Sequence, residues 1–499
     1  MKAINLYVLA QIQTEKCTEY ENILSDRNEK HKVKPYEFET IVCLVAALLE
    51  AEVTVKDLDG FYFSYCIEQI GKEFDLLKID KEKMVLNIEL KSNDISEEKI
   101  RKQLIRNKYY LGHLGAEIYL FTYVKESGFL YFLEKNDILR RCHISELACC
   151  LRRFGNYEDG EICDLFRPKD FLISPLNTPE KFVSNNYFLT QQQEQVQKEI
   201  LESIGRKEFC IKWGITGKAG TGKTLLLYDI AKECSRYGKC CIIHSGILCE
   251  GHNILNGLLH NIDIIAAKFV GNIDLAQYKF IFIDETQRIY TNTLDMILEE
   301  ANENRAYIVF SYDNFQTLSH REENRKIVDK LHKVIGFKER MLSDKIRTNK
   351  EISSFIRLLI DLRDKPQVKY LYKDIDILFA KDIPSAQEII DFYRGEKSYV
   401  FINYTQSMYK GNTIDMYEED INTHHVIGQE FDNVLIMLDH NFRYNQEGRL
   451  QGKIHPNPDY RFYKLFYQGV SRAREKLCIL IVENEELFSH ILSIKSDNG

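Results

Sequence analysis

Proline is scarce in this 499-residue chain, 8 in all, and no stretch stays apolar for long. The longest hydrophobic run near the start, IVCLVAALL (41–49), falls well short of the roughly 20 residues that a bilayer span needs, so no membrane partner is expected. The opening stretch AINLYVLA follows a single lysine and lacks a cleavage site, so no secretory signal is expected. The 13 cysteines include no C-x-x-C pair. Cys149–Cys150 and Cys240–Cys241 are adjacent, which suits core packing better than zinc ligation. Reduced thiols in a long chain point to the cytoplasm. Long blocks of one charge are also missing. With 67 Lys and Arg against 75 Asp and Glu the net charge is −8, which excludes a blanket basic coat and leaves room for a local basic groove. Repeats, heptads and low-complexity tracts are absent.

Hydrophobic residues make up 44% and charged residues 28%, as in a soluble globular protein, and the length calls for two or three domains. Residues 1–165 begin with helical periodicity (YEFETIVCLVAALLEAEV). Two strand-like runs follow, EFDLLKI and MVLNIELK, then a helical stretch, EEKIRKQLIRNKYYLGHL, and a further strand, EIYLFTYV. A connector over 155–187, its linker proper at 166–187, carries Pro168, Pro175 and Pro179. From 188 onward strands and helices alternate, which predicts parallel α/β domains at 188–335 and 336–499.

The strongest local signal is GKAGTGKT (217–224), set between a buried strand (IKWGIT) and a helix (LLLYDIAKEC). Gly217, Gly220 and Gly222 let the backbone approach phosphate oxygens, and the helix N-terminus adds partial positive charge. Lys223 is expected to reach the β- and γ-phosphates of ATP, and Thr224 to ligate Mg²⁺. In KFIFIDETQ (279–287), Asp284 and Glu285 end an apolar strand, where α/β sheets bind ligands. Asp284 would hold the metal through water, and Glu285 would polarise the attacking water.

DETQ resembles the DExQ box of superfamily 1 helicases, and that family's other motifs follow in order. LTQQQEQV (189–196) resembles the adenine-reading Q motif, with Gln193 at the matching glutamine; Gln287 closes the DETQ box. VFSYDNFQTLS (309–319) resembles motif III, where Gln316 would sense the γ-phosphate. LSDKIRTNKEISSFI (342–356) resembles motif IV and places Arg347 in its arginine position. THHVIGQEFDNVLI (423–436) resembles motif V, with Gly428 and Glu430 at its fixed positions and Ile427 where a polar residue is frequent. FYQGVSRAREKLCIL (466–480) resembles motif VI, with Arg472 as the second γ-phosphate arginine. The short spacings leave no room for large inserted subdomains. With CIIHSGILCEGH after the first helix, the arrangement looks most like the compact Schlafen-type helicase domain of bacterial proteins. The resemblance implies two RecA-like domains that close on ATP.

The front block suggests a second site. Asp75 and Glu89 lie symmetrically about Glu82 in a polar turn, so a hairpin centred there sets them opposite each other, close enough to share a metal. Glu89 and Lys91 are two apart and share a face. This D-x(13)-E-x-K pattern resembles the core of PD-(D/E)xK nucleases. The resemblance implies a helical glutamate, for which Glu39 is the match and Glu37 the rival, and a Q-x-x-x-Y type helix carrying Gln103. Arg101, Lys102, Arg106 and Lys108 make that helix basic, which suits a phosphate backbone.

The expected fold is therefore α/β: an N-terminal PD-(D/E)xK nuclease-like domain followed by two RecA-like parallel-sheet domains. The expected function is an ATP-dependent nuclease–helicase acting on nucleic acid, DNA favoured over RNA. Its cofactors are ATP and Mg²⁺, with Mn²⁺ an option at the nuclease site. Defence against phage or mobile DNA is the context the resemblance implies, with repair second. The alternative is an ATP-switched nucleic-acid sensor whose front domain docks without cutting. A small-molecule kinase would leave Arg347 and motifs V and VI unexplained.

Overall fold

The computed structural model describes residues 1–26, 32–67, 70–80, 84–155, 162–166, 173–314, 316–342, 350–364, 369–405, 421–452 and 460–496. The chain divides into two compact units, Met1–Pro168 and Lys169–Gly499.

In the first unit a six-stranded sheet has the order β1 (Phe61–Ile67), β2 (Lys72–Ile79), β3 (Met84–Lys91), β4 (Glu117–Val124), β5 (Phe129–Leu133), β6 (Leu139–Cys142). All neighbours are antiparallel except β3 and β4, which are joined by the helix Glu97–Gly112 as a crossover. The helix Pro35–Glu50 starts on a proline at its first turn and buries Phe38, Ile41, Leu44, Val45 and Leu48 at helical spacing in the core under the sheet. The β2–β3 ladder runs from Leu76↔Ile88 to Ile79↔Val85. Carried one residue further, it sets Asp75 opposite Glu89, the register expected from the sequence.

The second unit holds two parallel sheets, each the centre of a lobe. The first lobe has the order β12 (Phe337–Leu342), β7 (Lys212–Gly217), β11 (Tyr307–Tyr312), β10 (Phe280–Asp284), β8 (Cys240–His244), β9 (Ile262–Ala266). The second lobe has β13 (Ile375–Ala380), β18 (Ala473–Val482), β15 (Phe431–Leu438), β14 (Val400–Phe401), and beside it lies a hairpin of β16 (Phe442–Tyr444) and β17 (Leu450–Gly452). Strands buried on both faces explain the continuous apolar runs FIFID and YIVFSY.

Two expected boundaries move. β12 follows residue 336 yet pairs with β7, so the first lobe extends to Leu342. The segment expected as a linker is packed structure from Ile173: Ile173, Leu176, Phe182 and Tyr187 are buried in the first lobe's core, and Pro179 opens the short helix Pro179–Val183. Its proline and asparagine shape turns, while its apolar residues fix it in place. Among the described residues no helix is long and apolar enough to cross a membrane.

Candidate functional site

The phosphate loop is built by strand geometry and glycine. Gly220 and Gly222 both sit at φ 77°, a left-handed backbone that L-residues with a Cβ seldom adopt. Gly222 is the N-cap of the helix Lys223–Cys234, and no side chain caps that end, so its first amides are left for a ligand. The Lys223 ammonium lies 2.8 Å from the Gly217 carbonyl and 3.0 Å from that of Lys218, with the Asp313 carboxylate at 3.6 Å. Thr224 donates its hydroxyl to Asp284 at 3.2 Å.

Asp284 is fully buried. Burial works to raise its carboxyl, but the approach of His244 at 3.5 Å and a hydrogen bond from Ser311 outweigh it and hold the group below the usual range. Next to it Glu285 occupies a left-handed conformation (φ 54°), rare for a glutamate and of the kind found at functional turns. Gln287 donates to Glu285 at 2.7 Å and accepts from the Asp313 amide at 3.1 Å, so it ties the acid to the loop after β11.

A cleft is lined by Gly220, Gly222, Lys223, Thr224 and Glu285 with Gln316 from the first lobe, and by Gly428, Glu430 and Arg472 from the second. The amide nitrogen of Gln316 is buried with no hydrogen-bond partner among the described residues. Arg472 is buried, and desolvation holds its guanidinium below the ordinary arginine value against the opposing charges of Glu430 and Glu285. Its donors rest on the carbonyls of Gln468 and Gln429 at 3.2 Å. Ile427, in place of a polar residue, is core. Arg347 lies outside the described residues.

Gln193 is committed locally. With Thr190 it forms a capping box at the start of the helix Gln191–Gly205, and its amide donates to the Thr221 carbonyl at 3.0 Å. Its placement links the helix to the phosphate loop. The strap Ser174–Thr178 crosses from the first lobe to the second. Ser174 donates to the Gly428 carbonyl at 3.2 Å, and Asn177 accepts from the Glu430 amide at 2.9 Å.

In the first unit, Asp75, Glu89, Lys91 and Gln103 converge. Asp75 accepts from the Leu90 amide at 2.7 Å. Glu89 is buried, accepts from Gln103 and, at 2.7 Å, from Asn107, and has Lys91 at 3.8 Å. Burial and the neighbouring charge of Glu89 push the Asp75 carboxyl up to about 8. Glu39 does not join them: it is half-exposed and paired with Lys125. Helix phase decides this, since Phe38 and Thr40 on either side are buried. Glu37, the rival, is the helical acid whose charge acts on Asp75, and one of its carboxylate oxygens is buried with no hydrogen-bond partner among the described residues. Of the basic helix, Lys108 is drawn to Asp137 at 2.6 Å and Arg101 to the Asp137 carbonyl at 2.9 Å, while Arg106 and Lys72 act on each other beside the acids.

Sequence reading missed Asn87 and Asn107, which clamp Glu89, and His244, Ser311 and Asp313, which hold Asp284 and Lys223. Asn107 stands four residues after Gln103, one helical turn on, and could have been found that way. His244 pairs directly with Asp284 across β8–β10.

Residues 213–421 match the family model "Schlafen group 3, DNA/RNA helicase domain". No curated protein matches the chain. Among solved structures, a Pif1 helicase from Candida albicans is similar at 12% identity over 62% of this chain and 100% of that one, with a TM-score of 0.36. A Pif1 helicase from Bacteroides, in complex with ADP-AlF3 and single-stranded DNA, is similar at 12% identity over 62% and 99%, with a TM-score of 0.33. Likeness at that level is too low to transfer residue roles. Over its middle 209 residues the chain is thus similar to a Schlafen-type helicase domain.

Proposed function

We propose that the chain is an ATP-driven motor on nucleic acid, DNA favoured, joined to an N-terminal metal-dependent nuclease of the PD-(D/E)xK type. The observation that carries the motor is the cleft, where the phosphate loop, Glu285 and Gln316 of one lobe face Gly428, Glu430 and Arg472 of the other. ATP bound there lies against groups from both lobes, so binding favours closure and hydrolysis releases it. Thr224 and Asp284, in hydrogen-bond contact, suit Mg²⁺, which when bound offsets charge on the phosphate oxygens. Glu285 polarises the attacking water, and Lys223 and Arg472 stabilise charge on the transferred phosphoryl. Arg347 is assigned the same task from motif IV.

In the front unit, two adjacent carboxylates, one of them pushed up in pKa by burial and by the other's charge, form a donor set that a divalent cation would suit. Asp75 and Glu89 would hold Mg²⁺ or Mn²⁺, which supplies a water of lowered pKa. Lys91 sets positive charge beside the scissile phosphate, while Gln103 orients Glu89. Defence against invading DNA is the biological role we assign, in the cytoplasm.

The non-cutting sensor is the second reading, favoured by one observation: among the described residues no group of three or more His, Cys, Asp or Glu side chains is arranged to hold a metal. A single assay separates the two. ATP turnover and strand cleavage are measured on single- and double-stranded DNA and RNA, with Mg²⁺ or Mn²⁺, with and without ATP. Nucleic-acid-stimulated turnover with cleavage supports the fusion. Stimulated turnover without cleavage under every condition leaves the sensor, and turnover indifferent to all nucleic acids sinks both.

A further inference from the structure

Arg288 follows the DETQ box and is almost fully buried. Its Nε lies 3.4 Å from the Glu285 carboxylate and its Nη1 3.8 Å from Glu322, both as ion pairs, while neither Nε nor Nη2 has a hydrogen-bond partner among the described residues. A buried guanidinium is costly to desolvate and is kept where its charge acts on something. Here it faces two acids with different attachments. Glu285 borders the cleft. Glu322 closes a capping box with Ser319, on a segment docked to the second lobe. Ser319 bridges Tyr460, and the Arg461 amide donates to the Leu318 carbonyl at 3.1 Å. Glu323 accepts from Lys464 and is ion-paired with Arg461 at 2.9 Å. Lys464 lies on the helix Phe462–Val470, whose end leads into Arg472.

Glu322 and Glu323, neighbours on one short helix, therefore join two sets of ion pairs through the backbone: Glu323 with Lys464 and Arg461 of the second lobe, and Glu322 with Arg288, which in turn faces Glu285. We infer that Arg288 is a positioning residue through which the docked second lobe sets the orientation of Glu285, so that water is activated only when the lobes are engaged. This rests on the reading of Glu285 as the group that polarises water. Arg288 does not line the cleft and acts on it only through neighbours, Glu285 and the charge it presents to Arg472.

The test uses the full chain, steady-state ATP turnover with and without single-stranded DNA, and binding of a fluorescent ATP analogue. Arg288→Gln lowers kcat by about 10- to 100-fold, the scale of a mispositioned catalytic group, with analogue affinity unchanged within about twofold. Arg288→Lys recovers part of the loss. Glu322→Gln and Glu323→Gln, which leave Arg288 in place should Arg288→Gln fold poorly, lower kcat less. Their losses do not add to that of Arg288→Gln, as members of one network behave. Wild-type kcat in Arg288→Gln, an affinity loss matching the kcat loss, or additive losses would each overturn the inference. Glu285→Gln separates the two levels. If that variant still hydrolyses ATP normally, the reading of Glu285 itself fails; if it is inactive while Arg288→Gln is normal, only the role of Arg288 falls.

Discussion

The acid pair of the front unit and the cleft of the second unit are assembled in opposite ways. Cleft residues come from positions as far apart as Gly220 and Arg472, and nearly every charge already meets its opposite: Lys223 faces Asp313, and Arg472 faces Glu430 and Glu285. The front site is local, built from one hairpin and the next helix, and it sets two acids side by side at Asp75 and Glu89, where burial and the charge of Glu89 raise the Asp75 carboxyl. A charge-matched cleft is stable before a ligand arrives, and it works by exchanging partners. A buried acid pair instead keeps a proton that a bound cation would displace.

Breaking each site tests that contrast, and the largest effect is expected in the cleft. Lys223→Ala abolishes ATP turnover, a loss of at least about 1000-fold, because a charge on the transferred phosphoryl goes unmatched. Steady-state hydrolysis checks it, and near-normal turnover would sink the assignment. Next, Asp75→Ala and Lys91→Ala each remove strand cleavage by about 100-fold or more while ATP turnover stays intact, scored on plasmid and single-stranded substrates. A smaller effect discriminates the helical acids. Glu37→Gln lowers cleavage about 10-fold, whereas Glu39→Gln, which breaks only a half-exposed pair with Lys125, leaves it unchanged. Equal losses would restore Glu39 to the site.

The smallest effect is on stability. The unfolded Asp75 carboxyl gives up its proton near pH 4, whereas the folded one holds it to about 8. The folded unit therefore binds more protons across that window and loses stability as pH rises through it. Asp75→Asn flattens this slope, and Mg²⁺ raises Tm by a few degrees (about 3 °C) more at pH 8 than at pH 5. A Tm independent of both pH and Mg²⁺ would remove the argument for a proton held in the acid pair.

Much of this architecture was legible because strong local rules govern it. The hairpin register followed from a period of two about Glu82, and the parallel lobes followed from apolar strands alternating with helices. Legibility failed where tertiary packing decides between neighbours. Glu37 and Glu39 share a helix, and only the burial of Phe38 and Thr40 fixes which acid turns toward Asp75. The segment at 173–187 carries loop-forming residues, and nothing local shows that Leu176 and Phe182 are core. β12 has the exposed, charged composition of an edge strand, FKERML, which hides its pairing with β7. The T-x-x-Q spacing from Thr190 to Gln193 also spells a helix cap, a local role that the motif order does not show.

The strap at Ser174–Thr178 bears on how the two units can be separated. A Cβ added at Gly251 would come within 1.9 Å of the Leu176 carbonyl, so the strap is seated where no side chain fits. Excising the front unit at residue 188, the start expected for the first lobe, would strip away the hydrogen bonds to Gly428 and Glu430 and unroof part of the core. A second unit produced without the front unit must therefore keep its residues from Ile173 onward.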